Sequence, residues 1–278
     1  MLGRGSGNHR TDDIGMTGRV SVCMATWNGA RFVEAQLASI LSELGPADEV
    51  IVVDDASSDN TVELVQSISD PRVKVFPRDE NKGYVRTFEE ALTRAGGDYL
   101  FLSDQDDVWV PGRVRVMVQA LQENQVVASN LSTLDGPERI PGPFLIKDWH
   151  VRSQDSRRNL WNLFLQLAGL QCYWGCAMAV RRDALEYLLP FPDFLIESHD
   201  QWIGLCANMA GSIVHCDERT IRRRYHGDNL TPAQPRGVLP ALRSRWMLIR
   251  CLGVARLRGL GRPRMRSGCH AARSRVLG

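Results

Sequence analysis

The chain has 278 residues, of which 44% are hydrophobic and 24% are charged, and its formal net charge is +2. These values exclude a fibrous, collagen-like or wholly disordered protein and fit one globular domain, with or without an appendage. No run of about 18 apolar residues occurs, and the first residues contain no apolar signal-peptide core, so we expect a cytosolic protein. The seven cysteines form no CxxC pair, which predicts reduced thiols rather than a zinc ribbon or a disulfide framework.

Strands and helices alternate along the first part of the chain, after a polar, glycine-rich segment 1–18 that we predict to be a disordered leader. Apolar runs and helical periodicity predict strands at 20–25, 49–53, 73–76 and 99–102, and helices at 31–44, 60–68 and 84–95. The run 49–53 is almost entirely β-branched, which is typical of a strand buried on both faces. The alternation predicts an α/β fold with a Rossmann-like, mostly parallel central sheet flanked by helices.

Polar residues follow three of these strands. They are Thr26 and Asn28 after the first strand, Asp54 and Asp55 after the second, and Asp104, Asp106 and Asp107 after the fourth. Because the carboxyl ends of parallel strands share one edge of a sheet, we expect these residues to line a single crevice. The phosphate-binding patterns GxGxxG and GxxxxGK[ST] are absent from the turns, which argues against a dinucleotide-binding fold and a P-loop enzyme.

The stretch "LSDQDDVW" concentrates three carboxylates within four positions at the end of a buried strand. Such carboxylates repel one another and raise each other's pKa unless a cation neutralises them. Oxygen ligands favour Mg²⁺ or Mn²⁺, which commonly connect protein carboxylates to a diphosphate. The sequence therefore predicts a divalent cation here. The simpler alternative is that Asp104 and Asp106 only cap a helix that begins near Pro111.

The motifs ATWNG, VDDASSDNT, NKG and SDQDDVW occur in this order, and together they resemble the inverting glycosyltransferases of family 2, which have the glycosyltransferase-A fold. NGxxFVEAQLxSI followed by SDQDDVW is most similar to bacterial rhamnosyltransferases of surface polysaccharide synthesis. The resemblance covers residues 19–231, with a nucleotide-binding half at 19–110 and an acceptor-binding half at 111–231. Residues 232–278 then form a basic tail.

The resemblance implies a nucleotide-sugar donor, expected to be dTDP-rhamnose, and a lipid-linked or polysaccharide acceptor. It implies that the base and the ribose are bound by Thr26, Asn28, Asp54 and Asp55. Asp104 is expected near the ribose and the metal, Asp106 as a direct metal ligand, and Asp107 behind them. Simpler alternatives stay open, since Asn28 with Gly29 can form a plain turn and Asp54 can cap a helix.

The second half of the chain has weaker periodicity, and residues 129–158 are predicted to form a loop that faces the acceptor. In the apolar segment "WGCAMAV", Gly175 resembles a family glycine that lies next to the donor sugar, where the missing side chain permits close approach of the backbone. A buried core strand is the alternative interpretation of this segment.

The segment "SHDQW" resembles the family's site for the catalytic base, a role we assign to Asp200. In an inverting transfer, one carboxylate takes the proton of the acceptor hydroxyl, and no covalent intermediate forms. The alternative is that Asp200 is an ordinary N-cap of the apolar helix that follows. The family more often has Glu where this chain has His199, so the role of that neighbour is open.

A late segment, "RYHGDNLT", also resembles the family, and His226 within it is predicted to be an additional metal ligand or a diphosphate contact. A purely structural histidine is the alternative. The arginines at 222–224 could neutralise the leaving diphosphate. His215 and Cys216, in the apolar stretch "SIVHC", are expected in the core.

The tail mixes arginines with apolar residues and has no Asp or Glu from Arg236 onward. This pattern is typical of an amphipathic helix on an anionic membrane, which would place the enzyme peripherally at the inner face of the plasma membrane, near a lipid-linked acceptor. Packing of a basic helix on the domain is the main alternative. Nucleic-acid binding is the least favoured interpretation, so we expect no nucleic-acid partner.

Two other functions compete with sugar transfer. A nucleotidyltransferase that makes nucleotide sugars shares the sheet and an acidic metal site, but it needs a glycine-rich, basic loop after the first strand, and ATWNGARF is not one. A non-catalytic nucleotide-sugar-binding module keeps the sheet and loses the chemistry. The presence of Asp104, Asp106 and Asp200 disfavours that module.

Overall fold

The computed structural model describes residues 18–134, 136, 138–143, 146–225 and 237–261. The predicted leader, apart from Gly18, and the tail after residue 261 lie outside the described residues. Within these ranges the strands are β1 (Val20–Thr26), β2 (Glu49–Asp54), β3 (Val73–Pro77), β4 (Tyr99–Ser103), β5 (Val108–Trp109), β6 (Val126–Thr133), β7 (Met178–Arg181) and β8 (Ile213–Arg223).

The α-helices of the same ranges are α1 (Val33–Leu41), α2 (Thr61–Ser67), α3 (Tyr84–Arg94), α4 (Arg113–Leu121), α5 (Asn159–Ala168), α6 (Leu185–Leu188), α7 (His199–Ala210) and α8 (Val238–Leu257). Short 3-10 turns lie at Ser153–Asp155, Gly175–Ala177 and Arg182–Ala184. The predicted alternation of strands and helices in the first half is therefore confirmed.

The described strands form one sheet in the order β3-β2-β1-β4-β7-β6-β8-β5. The first four are parallel to one another. β7 runs antiparallel between β4 and β6, β6 and β8 are parallel, and β5 adds an antiparallel edge to β8. The prediction of an α/β fold with a mostly parallel sheet is confirmed.

The sheet separates two hydrophobic cores, and side chains of each central strand alternate between them. On one face, Ile51 and Leu102 pack with residues of α3, α7 and α8. On the other face, Val52 and Phe101 pack with residues of α1 and α4. Because both faces of β2 are covered, this strand is buried along its whole length. Burial on both faces explains its continuous apolar run.

The prediction of a loop over 129–158 was wrong at its start, where β6 extends to Thr133. Ser129 and Asn130 interrupt the apolar pattern, but both are buried and hydrogen-bonded. The Ser129 hydroxyl donates to the carbonyl of Ala177 over 2.9 Å. The Asn130 amide donates to the carbonyl of Cys216 over 3.0 Å. A buried polar side chain with partners is compatible with a central strand.

Glu49, the first residue of β2, is a buried carboxylate that joins three segments of the sheet. It accepts hydrogen bonds from the Ser21 hydroxyl at 2.7 Å, the Gly96 N–H at 2.6 Å and the Lys74 ammonium at 2.7 Å. Burial acts to raise the pKa of Glu49, but the hydrogen bonds from Lys74, Ser21 and Gly96 outweigh it and lower the pKa to about 2.

We expect Glu49→Gln to lower the free energy of unfolding at pH 7 by about 1–3 kcal/mol, because three donors lose a charged acceptor. The pKa of Glu49 is lower in the folded state, so its stabilisation is present above the unfolded pKa of 4.5 and disappears as the pH falls towards 2. The difference between the two proteins should therefore shrink between pH 5 and pH 2.5. Urea unfolding at both pH values measures it.

Glu63→Gln is the matched control, because Glu63 is an exposed carboxylate on α2. We expect this change to alter the free energy of unfolding by less than about 0.5 kcal/mol. Equal effects of the two substitutions would contradict a structural role for the Glu49 carboxylate.

Candidate active site

The carboxyl ends of β1 and β2 are joined through Thr26 and Asp54, which are partners in the β-ladder. The Thr26 hydroxyl donates to Asp54 Oδ2 over 2.8 Å. Ser57 donates to the same carboxylate through its N–H at 2.8 Å and its hydroxyl at 2.6 Å. Both predicted pocket residues are therefore buried, and the Asp54 carboxylate shapes the turn between β2 and α2.

Asp55 organises the NKG segment, for which the sequence offered no firm interpretation. Its carboxylate accepts hydrogen bonds from the N–H groups of Lys82 and Gly83, both over 2.8 Å, and from Arg78 Nη1 over 2.9 Å. These contacts fix the turn that precedes α3. A direct contact of Asp55 with a nucleotide remains a prediction.

The loop after β1 is tied to the loop after β4 by Gln105. The Gln105 side chain accepts from the Trp27 N–H over 2.8 Å and donates to the Trp27 carbonyl over 2.9 Å. Asn28 adopts a left-handed conformation with φ 49°, and its side chain accepts from the Ser58 N–H over 2.8 Å. The Trp27 indole is half exposed at this edge, where a flat ring can stack on a planar base.

An acidic cluster lies directly after β4. One donor atom from each of Asp104, Asp107 and Cys176 lies within 4.8 Å of the other two. Asp107 is buried, its Oδ1 accepts from the Arg224 N–H over 3.2 Å, and its Oδ2 has no hydrogen-bond partner within the described part of the chain. The sequence predicted Asp107 behind the ligands, whereas the structure groups it with Asp104, and Asp106 is not part of this group.

The charges in this cluster repel one another strongly. Burial, followed by the charges of Asp107 and Asp106, raises the pKa of Asp104 to about 8. Burial and the charge of Asp106 raise the pKa of Asp107 to about 6. Near neutral pH the cluster therefore favours either bound protons or a cation.

A divalent cation fits the donor set. The partnerless Asp107 Oδ2 and the adjacent Asp104 supply the hard oxygen ligands that Mg²⁺ and Mn²⁺ prefer. Burial, together with the charges of Asp107 and Asp104, raises the pKa of the Cys176 thiol well above its ordinary value. The protonated thiol is thus suited to hydrogen-bond Asp107 rather than to bind Mg²⁺.

Asp200 lies in the first turn of α7, near enough to the acidic cluster for its charge to raise the pKa of Asp104. Burial raises the pKa of Asp200 to about 6, although hydrogen bonds with the backbone of Gln201 and Gly175 act in the opposite direction. The N-cap of α7 is Ser198, whose side chain makes no capping bond. The alternative of Asp200 as an N-cap was therefore wrong.

Gly175 lies against Asp200 and His199. A Cβ atom at position 175 would come within 2.7 Å of His199 Nε2 and 3.7 Å of Asp200 Cβ. A larger residue there would displace the side chain of one of these neighbours. Gly175 therefore permits the close packing of the 3-10 turn Gly175–Ala177 against the start of α7.

His199 is a buried, neutral residue of the core. Its ring stacks on Phe88 with a centroid distance of 4.2 Å and meets Tyr84 edge-on at 5.7 Å. Burial lowers the pKa of His199 to about 3. The histidine therefore places no charge beside Asp200, whereas a glutamate at this position would.

Arg223, at the end of β8, is a buried cation close to the cluster. Burial acts to lower the pKa of Arg223, but Cys176, Asp107 and Asp104 outweigh this effect and raise it. The guanidinium stacks over the Trp174 ring at 5.3 Å. His226 lies outside the described residues, so its predicted contact with the metal or the diphosphate remains a prediction.

The acidic residues after β4 do not cap the following helix. α4 begins at Arg113, and its N-cap is Gly112 with φ 86°. The Gly112 N–H donates to the Glu43 carboxylate at 2.9 and 3.0 Å. The alternative role of Asp104 and Asp106 as helix caps was therefore wrong, and their charge requires another explanation.

The sequence model described as Glycosyl transferase family 2 matches residues 21–189, which is more than half of the chain. The chain belongs to this family. The prediction of a family 2 glycosyltransferase is confirmed. Membership also argues against the nucleotidyltransferase alternative.

Three relatives match the chain over different shares of their own length, from 35% to 73%. "Uncharacterized glycosyltransferase alr2836" of Nostoc is 25% identical over 217 residues, which are 76% of this chain and 66% of the relative. The glucosyltransferase WfgD of Escherichia coli is 26% identical over 197 residues, which are 71% of this chain and 73% of that protein. The succinoglycan biosynthesis protein ExoO of Rhizobium meliloti is 34% identical, but the match spans only 35% of it.

Among solved structures, residues 1–349 of TarS from S. aureus with UDP-GlcNAc superimpose with a TM-score of 0.63 at 16% identity, over 86% of this chain and 66% of that TarS fragment. The complex with UDP gives a TM-score of 0.59 at 22% identity, over 74% and 60%. At this level of identity the likeness concerns the fold, and the predicted glycosyltransferase-A fold is confirmed.

We expect Mg²⁺ or Mn²⁺ to raise the unfolding temperature by about 5 °C at a hundredfold excess over Kd. The raised folded-state pKa values of Asp104 and Asp107 stabilise the metal-free protein below the unfolded pKa of 3.8. This contribution is lost as the pH rises through about 6 and about 8. The metal-induced shift should therefore be larger at pH 8 than at pH 5.5. Differential scanning calorimetry with metal and with EDTA measures it.

Single substitutions identify the ligands in the same assay. We expect Asp104→Asn and Asp107→Asn to remove the metal-induced shift and Asp106→Asn to preserve it, because Asp106 is not among the clustered donors. Loss of the shift with Asp106→Asn, combined with its retention in Asp107→Asn, would favour the ligand pair expected from the sequence.

Proposed function

We propose that the protein is an inverting, metal-dependent glycosyltransferase. It transfers a sugar from a nucleotide diphosphate donor to a hydroxyl group of a lipid-linked or polysaccharide acceptor in cell-surface glycan synthesis. The observation that carries the proposal is the placement of Asp200 beside Gly175, where its charge acts on the acidic cluster. A base and a site suited to a cation thus share one edge of the sheet.

Asp200 is the proposed base. With a pKa of about 6 it is mostly ionised at pH 7.5, and it remains basic enough to accept a proton. The proton of the acceptor hydroxyl moves to Asp200 as the oxygen attacks C1 of the sugar. The bond between C1 and the diphosphate oxygen breaks on the opposite face, so the anomeric configuration inverts and the nucleoside diphosphate leaves with the bonding electrons.

Positive charge must balance the diphosphate that leaves. The residues proposed to hold a divalent cation are Asp104 and Asp107, and a bound ion would neutralise the developing charge on the diphosphate. Arg223 adds a fixed cation whose burial strengthens its electrostatic effect. Arg224 positions the cluster, because its backbone N–H donates to Asp107.

The proposed donor is dTDP-L-rhamnose, on the basis of the motifs NGxxFVEAQLxSI and SDQDDVW. UDP-glucose is the alternative that the name of a relative supports, since WfgD is named as a glucosyltransferase that uses UDP-Glc. The solved complexes of TarS with UDP and UDP-GlcNAc support a nucleotide-sugar donor in general.

The acceptor class is proposed from the names of relatives. WfgD is named for an acceptor linked to diphosphoundecaprenol, and two further relatives are named for the biosynthesis of teichuronic acid and colanic acid. These names support an acceptor in the assembly of surface polysaccharides, carried on a lipid or on the growing polymer.

We expect Asp200→Asn to lower kcat for sugar transfer by about 10²- to 10⁴-fold, because the variant lacks the general base. Donor affinity should stay within about threefold, which isothermal titration calorimetry with the nucleoside diphosphate measures. Asp193→Asn, an exposed carboxylate in the loop before α7, is the matched control and should retain full turnover. Near-normal turnover of the Asp200 variant would remove this residue from the role.

Release of nucleoside diphosphate from a panel of dTDP-, UDP- and GDP-sugars, with Mn²⁺, with Mg²⁺ and with EDTA, tests reaction class and donor together. We expect metal-dependent release from dTDP-rhamnose. Release from UDP-glucose alone would keep the transferase and replace the proposed donor. Metal-independent release would contradict the role assigned to Asp104 and Asp107.

A further inference from the structure

Two helices that pack against α7 expose apolar side chains that the sugar-transfer chemistry does not use. Apart from Leu257 at the last residue of α8, these are Leu160, Trp161 and Phe164 on α5 and Leu239, Leu242, Trp246 and Ile249 on α8. We call these seven side chains the α5–α8 apolar face. Leu160 and Leu239 are the most exposed of them, at 84% and 79%. Exposed apolar surface on this scale marks a site of interaction.

The outward face of α8 is not required to hold the helix on the domain. Met247, Leu248 and Cys251 point inward and join the core around α7. The exposed residues 239, 242, 246 and 249 recur at spacings of three and four, so they form one stripe on the opposite side. α8 is therefore apolar on two sides, and the described part of the domain occupies one of them.

α5 and α8 are connected, so their exposed residues belong to adjoining surfaces. Arg245 Nη1 on α8 donates to the carbonyl of Gln166 on α5 over 3.1 Å, and Gln166 Nε2 donates to the carbonyl of Gln201 on α7 over 2.5 Å. On α5 the rings of Trp161 and Phe164 stack with a centroid distance of 5.3 Å.

The charges around this face are predominantly positive, although Asp155 pairs with Arg158 over 3.0 Å and Glu197 accepts from the Ser244 hydroxyl. α8 contains Arg243, Arg245, Arg250 and Arg256 and no Asp or Glu, and Arg157 and Arg158 directly precede α5. A second copy of the chain would bring two sets of arginines together, which like-charge repulsion opposes. Residues 262–278 add five arginines and no acidic residue, so they do not complement this charge either.

An anionic lipid surface complements both the apolar side chains and the positive charge of the face. Tryptophan and phenylalanine enter the interface between headgroups and acyl chains, and arginines bind anionic headgroups. Within the described ranges, no helix is long and apolar enough to cross a membrane. The face is therefore suited to lie in the plane of a bilayer surface.

α8 also contacts the segment that carries the proposed base. The Ser244 hydroxyl donates to Glu197 Oε1 over 2.5 Å, and Glu197 precedes Asp200 by three residues. The exposed Ile196 lies in the same segment. A lipid surface that binds α8 would thus lie close to the start of α7, where Asp200 is located.

We propose that the α5–α8 apolar face docks the protein on anionic lipid bilayers, with α5 and α8 acting together. The sequence alone assigned membrane contact to the basic tail, and the structure adds α5 as a second, aromatic element. The inference rests on the proposed function in one respect, because docking beside the base would present a lipid-linked acceptor to Asp200.

Flotation of the full chain with vesicles of phosphatidylcholine containing 30% phosphatidylglycerol tests the proposal. We expect binding to these vesicles to be at least tenfold tighter than to pure phosphatidylcholine, because arginines recognise the anionic headgroup. Phe164→Ser combined with Leu242→Ser should weaken binding by about tenfold or more, because one apolar anchor is removed from each helix. The single substitutions should each show part of this loss.

A charge reversal distinguishes binding through the α5–α8 apolar face from a general attraction of anionic vesicles to a basic protein. Arg243→Glu on α8 should weaken binding by about tenfold, whereas Arg115→Glu, an exposed arginine on α4, should change it less than threefold. Thermal unfolding of each variant identifies any that fails to fold, and Phe164→Ala and Leu242→Ala replace such variants.

Three results would overturn the proposal. The first is that the folded wild type does not bind vesicles, and the second is that substitutions on either helix leave binding unchanged. The third is that the wild type does not bind vesicles but forms a dimer in sedimentation experiments, and that these substitutions abolish the dimer. The last result would identify a second copy as the occupant. Donor cleavage measured without vesicles reports on the transferase site alone, so failure of docking and failure of the proposed function are distinguished.

Discussion

The candidate site depends on one constraint, which is the presence of several carboxylates in a poorly solvated place after β4. Asp104 and Asp107 follow a strand that is buried on both faces, and the charge of Asp200 on α7 adds to the rise in the pKa of Asp104. Water cannot screen these charges effectively, so their pKa values rise. Arg223 offsets only part of the repulsion. A cation held at the proposed site would offset this repulsion, and the polar loops around the carboxylates hold them in position.

The loops at this edge of the sheet are held in place by hydrogen bonds from its other polar residues. Asp54, Asp55 and Gln105 each bind groups from a neighbouring loop, and together they connect the ends of β1, β2 and β4. This assigns scaffold roles to side chains that the family resemblance associates with the nucleotide. The two roles are compatible, because a preorganised loop presents its remaining N–H groups and the exposed Trp27 in fixed positions.

Much of the fold was predictable, because β1, β2 and β4 are buried on both faces and the helices between the strands show clear periodicity. β6 was missed since Ser129 and Asn130 find partners that only the folded chain supplies. The acidic cluster was predictable from spacing, whereas the position of Cys176 was not. In the sequence Cys176 is one small residue of an apolar segment, and it meets Asp107 only because the turn Gly175–Ala177 folds under the end of β4. Long-range contacts of this kind leave no local pattern.

α7 links the chemistry to the surface. At its N-terminus, burial favours the protonated form of Asp200, while hydrogen bonds with the backbone of Gln201 and Gly175 favour the ionised form, and the balance leaves a pKa of about 6. A general base works best when its pKa lies near the working pH, because it is then ionised and still basic. The neutral His199 preserves this balance, since a second carboxylate at that position would raise the pKa of Asp200 further. α5 and α8 both pack against this helix, so a group bound on their outer surface and the proposed base at the start of α7 would be linked through one helix.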